Sequence, residues 1–233
     1  MKIRIAELNV EIFNRYPLVA ALCRDYLCAF DKADIRVEVS EEEIRAEMAR
    51  AKEKVTPAEA EIACIYRAIA RALPEFDAFV LHGAALACDG RAFIFSAPSG
   101  TGKSTHAALW LQRFGERVRI LNGDKPILRL VQGELTVFGT PFCGKERWNA
   151  NASARLAGLC FLERGECNSI APLQDAQVLQ RLFPQILMPD TDARIERFLQ
   201  LLDRTLQAVP AYLLRCNMEP EAAEVAYLGM WKG

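Results

Sequence analysis

The chain has 233 residues, 52% of them apolar, with 29 basic and 30 acidic side chains for a net charge of −1. That length suits one large domain, or one domain with an appendage, and provides for a sizeable core. The balanced charge gives no electrostatic case for nucleic acid or an anionic membrane, no apolar run approaches a membrane span, and the first residues lack a signal-peptide layout.

Taken in order, residues 2–12 alternate and predict a strand, and 15–30 are apolar without a clear period. Asp34 to Val39 predicts a second strand. Ser40 and Glu43 form a capping box that opens a helix to Lys54, and Thr56, Pro57 and Glu59 open another. Ile62, Ile65, Tyr66, Ile69, Ala70 and Leu73 recur at helical spacing until Pro74. Residues 1–76 carry no chemical motif and are expected to form a supporting layer, with partner or substrate recognition as the alternative.

From Ala78 the character changes to strands. Segments 78–81, 84–87 and 92–96 are closely set, with Asp89-Gly90 as a hairpin turn, and are expected to be neighbours in one sheet. A helix with Ala107, Ala108, Leu111 and Phe114 at its spacing then runs to Gly115. Val118–Leu121 predicts a strand, and 127–131 and 135–138 a hairpin around Gln132-Gly133-Glu134. Residues 139–149 predict a loop, and Leu156–Leu162 a buried strand ending in Glu163-Arg164-Gly165. Helices are expected near 173–183 and 191–207, a strand at 210–215, and a helix from Pro220 onward.

The chemistry is concentrated between the strand 92–96 and the helix after it. Ala97-Pro98-Ser99-Gly100-Thr101-Gly102-Lys103-Ser104-Thr105 departs from the phosphate-binding pattern G-x-x-x-x-G-K-[ST] only at its first glycine, replaced by Ala97, which must keep φ negative. A loop in that setting offers backbone N–H groups and a helix N-terminus to phosphate. Lys103 can then reach the terminal phosphates and Ser104 can bind Mg²⁺.

Phosphoryl transfer also needs a carboxylate and positive charge. Asp124, after the strand that follows the helix, is the candidate base and metal ligand, though Asn122-Gly123-Asp124 also reads as a turn. Glu163 competes: Leu159–Glu163 has the look of a Walker B strand, or of a solvated strand end beside Arg164. His82 precedes Gly83, taken as a turning point, and is expected near the phosphates if 84–87 runs antiparallel to 92–96. His106 is either a nucleotide-side or a packing residue. Lys145 and Arg147 lie in a loop that either closes over phosphates or is a surface loop. The eight cysteines form no C-x-x-C pair and no zinc spacing. Several, such as Cys64, Cys88 and Cys160, lie in apolar segments and read as buried reduced thiols of a cytoplasmic protein.

Leu81-His82-Gly83, Ser96 to Thr105, and Leu121-Asn122-Gly123-Asp124 together resemble the catalytic domain of the HPr serine kinases, and are similar to the phosphate and metal motifs of ATP-type phosphoenolpyruvate carboxykinase. The likeness covers about residues 78–165. It implies an α/β (α+β) fold in which a mixed, hairpin-rich sheet carries a P-loop, ATP and Mg²⁺ as cofactors, and transfer to a hydroxyl. It implies His82, Lys103 and Asp124 as catalytic residues, with the loop 97–105 holding the nucleotide and Ser104 and Asp124 the metal. Asp124 is followed by Lys125 where that family often has a second acid, and the family's later Glu-x-Arg-Gly signature has no clear match. The expected layout is a supporting region over 1–76 and an ATP-binding catalytic domain over 77–233. The expected activity is phosphorylation of a hydroxyl, serine first, on a peptide, protein or small molecule. A homo-oligomer is left open, and neither nucleic acid nor a membrane is expected as partner. The alternatives are a non-catalytic nucleotide-binding regulatory module and an ATPase using Glu163.

Overall fold

The structure, a computed structural model, describes residues 1–231; the last two residues of the expected catalytic domain lie outside these. Strands β1 (Lys2–Ile5) and β2 (Leu8–Phe13) form a hairpin, and β3 (Ile35–Glu38), reached through helix α1 (Pro17–Leu22), lies parallel to β2. The single strand read over 2–12 is therefore two. Ala6 and Glu7 take positive φ, 48° and 60°, and fold the segment back without a Gly, Asn or Asp to mark the turn. Helices α2 (Glu41–Arg50) and α3 (Pro57–Ala72) open on the two expected capping boxes, each with both reciprocal hydrogen bonds made. Helix α2 ends at Arg50, short of Lys54, because Ala51 is already extended. The core of this region contains Ile5, Val10, Ile65 and Ile69 and runs on into Val80, Ile127, Phe138 and Phe142.

The second sheet has nine strands: β4 (Ala78–Val80), β5 (Ala84–Cys88), β6 (Arg91–Ser96), β7 (Val118–Asn122), β8 (Ile127–Val131), β9 (Glu134–Phe138), β10 (Ser153–Arg164), β11 (Ser169–Pro172) and β12 (Ala211–Cys216). Its order is β4-β8-β9-β10-β6-β5-β7, with β12 on β10 and β11 on β12. The turns at Asp89-Gly90 and Gln132-Gly133 form as read, all four residues at positive φ. Strand β11 escapes sequence reading because it is four residues long and ends in a proline, as an edge strand can.

Strands β5 and β6 are antiparallel neighbours, as expected, but β4 is not beside β5. It pairs instead with β8, while β5 pairs with β7. Between those ladders the Gly83 N–H donates to the Asp124 carbonyl (3.0 Å) and the Leu81 N–H to the Pro126 carbonyl (3.3 Å). Residues 78–88 and 118–131 thus form one antiparallel ribbon that bends at 81–83 and 123–126. Gly83 serves close approach, not a turn: a Cβ there would lie 3.0 Å from the Phe95 carbonyl oxygen and from the Ile94 side chain.

Strands β6, β10 and β12 are mutually parallel, and β7 runs with them because β5 is antiparallel to both β6 and β7. Four strand ends therefore emerge on one side. Helices α4 (Lys103–Phe114) and α7 (Glu221–Trp231) cover one face, with Trp110 of α4 packed on Phe93 and Phe95 of β6. Helices α5 (Asp175–Leu182) and α6 (Asp192–Ala208) cover the other, with Phe198 of α6 packed on Phe79 of β4 in a core that includes Phe161. Among the described residues no helix is long and apolar enough to cross a membrane.

Candidate functional site

Strand β6 ends at Ser96 and α4 begins at Lys103, so residues 97–102 form a loop at a helix N-terminus. Gly100 and Gly102 have φ of 79° and 122°, with nothing within 4 Å of an added Cβ; these glycines serve backbone conformation. Ala97 is buried and outside the positive-φ set, so the replaced first glycine costs no strain. No side chain caps α4, which leaves its first-turn N–H groups for an anion. The Lys103 ammonium folds over the loop, donating to the carbonyls of Ala97 (2.8 Å) and Pro98 (3.3 Å). Arg164, from the end of β10, donates to the Gly100 carbonyl (2.7 Å) and braces the loop from the side.

At the bend of the ribbon His82 and Asp124 face each other, His82 Nε2 lying 3.2 Å from Asp124 Oδ1. The bend adjoins the glycine loop, since Ser96 Oγ donates to the His82 carbonyl (2.8 Å). Two residues hold the pair from behind. Asn122, fully buried, accepts on Oδ1 from the N–H of Asp124 (2.8 Å) and of Lys125 (2.6 Å). Its amide nitrogen donates to the carbonyl and hydroxyl of Thr140, both at 3.0 Å, which ties the turn to the loop beyond β9. Gln185 contacts His82 from the other side. The carbonyl of Gln185 accepts from the His82 N–H and its Oε1 meets His82 Nδ1, each at 2.8 Å.

Burial resists ionisation of Asp124, but the His82 hydrogen bond and the adjacent Lys125 ammonium outweigh it, holding the carboxyl well below the usual carboxylate range. Burial also pulls the Lys103 ammonium below the ordinary lysine value, with the Asp124 charge opposing that fall. Asp124, Lys103 and His82 thus form one electrostatic group. Lys125 additionally sits over the Tyr66 ring (5.5 Å), so helix α3 reaches the rim of the site.

Glu163 is the last residue but one of β10, beside the glycine-loop strand, where Phe161 is level with Ser96. Its neighbour is not Arg164, which turns to the loop. Glu163 is held instead by Arg181 (3.0 Å) and Arg215 (3.3 Å), and the Arg181 hydrogen bond leads the set that keeps it ionised below its ordinary value. A cavity of about 760 Å³ lies between the glycine loop, the end of β10 and residues 180–185, with Arg181 and Gln185 in its wall.

The loop carrying Lys145 and Arg147 passes beside Asp124, an added Cβ at Gly144 lying 3.5 Å from the Asp124 Cβ. The Lys145 and Arg147 side chains are exposed and make no hydrogen bond or ion pair among the described residues. His106, 2% exposed, packs against Phe95 and accepts from Trp110 Nε1 (3.0 Å), and it also borders a cavity lined by Gly100, Thr101 and Gly102; burial lowers its pKa to about 3. Cys88 and Cys160 are buried as expected, whereas Cys64 is half-buried, with its thiol facing the Glu43 carbonyl between α2 and α3.

The fold and site thus define a mixed α/β chain in which a strand–glycine loop–helix unit stands next to a histidine–aspartate pair. No known protein family matches the chain, and no curated protein matches it. Among solved structures it is similar to the Hpr(Ser) kinase/phosphatase from Coxiella burnetii, with 11% identity over 66% of this chain and 97% of that one and a TM-score of 0.40. At that identity the relation is a distant one, and no residue role is carried over from it. Of the residues singled out in sequence, His82, Asp124 and the loop to Lys103 come together, while Glu163 lines the cavity on the other side of that loop and is engaged there by Arg181 and Arg215. Gln185, Arg181 and Arg215 carried no local signal, because each acts through a partner distant in sequence.

Proposed function

We infer that the chain binds Mg·ATP at the loop 97–105 and transfers the γ-phosphoryl group to a hydroxyl on a peptide, protein or small molecule. The observation that carries this reading is the His82–Asp124 pair at 3.2 Å, hydrogen-bonded through its backbone to the strand that enters the glycine loop. The loop suits a polyphosphate: two glycines hold backbone angles that side chains avoid, the helix start is uncapped, and a lysine waits over the loop. Ser104 and Asp124 would hold Mg²⁺, which with ATP supplies the phosphoryl group and positive charge at the transferring oxygens.

Lys103 exchanges its two carbonyl contacts for phosphate oxygens. Asp124, ionised at neutral pH, takes the acceptor's hydroxyl proton as that oxygen bonds to phosphorus and the bond to ADP breaks. His82 orients Asp124, and Lys145 and Arg147 add charge from the neighbouring loop. The acceptor approaches past Lys125 and Tyr66, so residues 1–76 contribute to its recognition. An ATPase centred on Glu163 is disfavoured, because two guanidinium groups already engage that carboxylate.

Calorimetric titration tests the binding step. Mg·ATP should bind the wild type, and Lys103→Ala should remain folded and lose at least about tenfold in affinity, a charge-assisted contact being worth about 1.5–3 kcal/mol. Equal affinity in the two proteins would contradict the assignment.

A further inference from the structure

A smaller pocket, of about 310 Å³, opens between the end of α1, helix α3 and the loop after β9. Leu22, Ile62, Ala63, Tyr66, Pro141 and Phe142 supply its apolar wall. Lys125 joins it to the reaction centre: it follows Asp124, pairs with it, and carries its ammonium over the Tyr66 ring (5.5 Å). The Tyr66 and Phe142 rings pack at 5.6 Å, and Phe142 belongs to the core that runs on from the N-terminal region, so the wall is preformed.

The charged groups in that wall are already committed. Arg67 donates to both carboxylate oxygens of Glu47 (2.8 and 2.9 Å). Glu59 accepts from the backbone N–H and the hydroxyl of Thr56 (both 2.8 Å), and Lys125 pairs with Asp124. A small charged metabolite entering here would give up water without gaining a free charged partner. What the pocket offers is apolar surface, in a volume at the small end for ligand sites and suited to one side chain.

We propose that this pocket holds a large apolar side chain next to the acceptor hydroxyl, so that the acceptor is a serine or threonine of a peptide or protein chain. Successive residues of an extended peptide are about 3.3 Å apart, so a side chain one or two positions from a hydroxyl at Asp124 reaches past Lys125. The place of the hydroxyl rests on the phosphotransfer reading, whereas capture of the side chain is a property of the pocket alone. The competing place is the larger cavity beside the glycine loop, whose wall carries Glu163, Arg164 and Arg181 and would select charged neighbours.

An array of immobilised short peptides with a central serine, each flanking position varied, separates these. It is read twice against the full chain: for bound fluorescent protein without nucleotide, and for ³²P transferred from γ-³²P-labelled ATP with Mg²⁺. In both readings Leu, Phe or Met at one flanking position should exceed Asp or Lys there by about 10–100-fold, the scale of burying one apolar side chain. Ala63→Phe, which fills the pocket, should lose that preference while Mg·ATP affinity stays within a few-fold of the wild type. Ile62→Ala, which enlarges the pocket, should move the preference towards Phe and Trp. No apolar preference in the binding reading, a preference for charged neighbours, or a pattern unchanged in both variants overturns the proposal. An apolar preference in binding with no ³²P transfer to any peptide supports the pocket and removes the phosphotransfer reading instead.

Discussion

Asp124 follows β7 and Glu163 is the last residue but one of β10, strands that end on the same side of one sheet; each carboxylate is engaged by basic groups, yet only Asp124 has a histidine among them. Asp124 sits on the bent ribbon, with a histidine at 3.2 Å and a lysine beside it. Glu163 sits on the parallel side, held by two arginines that stay charged at any working pH. The difference teaches that a strand end supplies position, while the neighbours supply chemistry. A histidine can orient a carboxylate through a single hydrogen bond and leave its other oxygen free; two guanidinium groups lock one into a structural ion pair.

The largest effect is expected at the ribbon. His82→Ala should lower ATP turnover by about 10²-fold, the lower range for a group acting in proton transfer, while thermal stability changes little, because the imidazole is one-third exposed (34%). A fall in melting temperature that accounts for the lost activity would make His82 structural and erase the contrast with Glu163.

The second histidine sharpens the picture from the packing side. His106 is neutral in the fold down to about pH 3, whereas an unfolded chain protonates near pH 6.5. Its folded value is depressed, so the stability it allows is complete above about pH 6.5 and declines towards pH 3, by at most about 1.4 kcal/mol per pH unit. His106→Gln does not titrate and keeps an acceptor for Trp110. Its melting temperature should therefore drop less than that of the wild type between pH 7 and pH 4.5. Equal drops would show that His106 takes up its proton in the folded state.

The smallest effect is expected at Glu163. Its side chain is 41% exposed, so Glu163→Gln should change stability by no more than about 1 kcal/mol, the range of exposed ion pairs. Chemical denaturation measures this directly. A much larger loss would mean that the arginines carry the cavity wall through Glu163.

The glycine loop, its strand and its helix were legible because turn chemistry and helix starts are written locally, at Gly100, Gly102 and the Lys103 helix. The place of His82 beside the loop was legible for a related reason: the strand after it is antiparallel to β6 and starts opposite the end of β6, from which the loop emerges. Other features depended on pairing at a distance. Strand β4 finds β8 because the whole ribbon bends, which three short adjacent strands do not reveal. The hairpin at Ala6-Glu7 hides inside a pattern whose alternation survives a two-residue turn. Gln185 and the arginines on Glu163 reach the site from α5, its following turn and β12, with nothing in their own neighbourhoods to mark them.

The central claim, that the histidine–aspartate ribbon and not the end of β10 is the reaction centre, is tested most directly by single-turnover loss of the γ-phosphate from Mg·ATP in Asp124→Asn and Glu163→Gln side by side. Asp124→Asn should be slower than the wild type by at least about 10²-fold, and Glu163→Gln should stay within a few-fold of it. Loss of turnover in Glu163→Gln with Asp124→Asn still active would contradict the account and place the chemistry on the parallel side of the sheet.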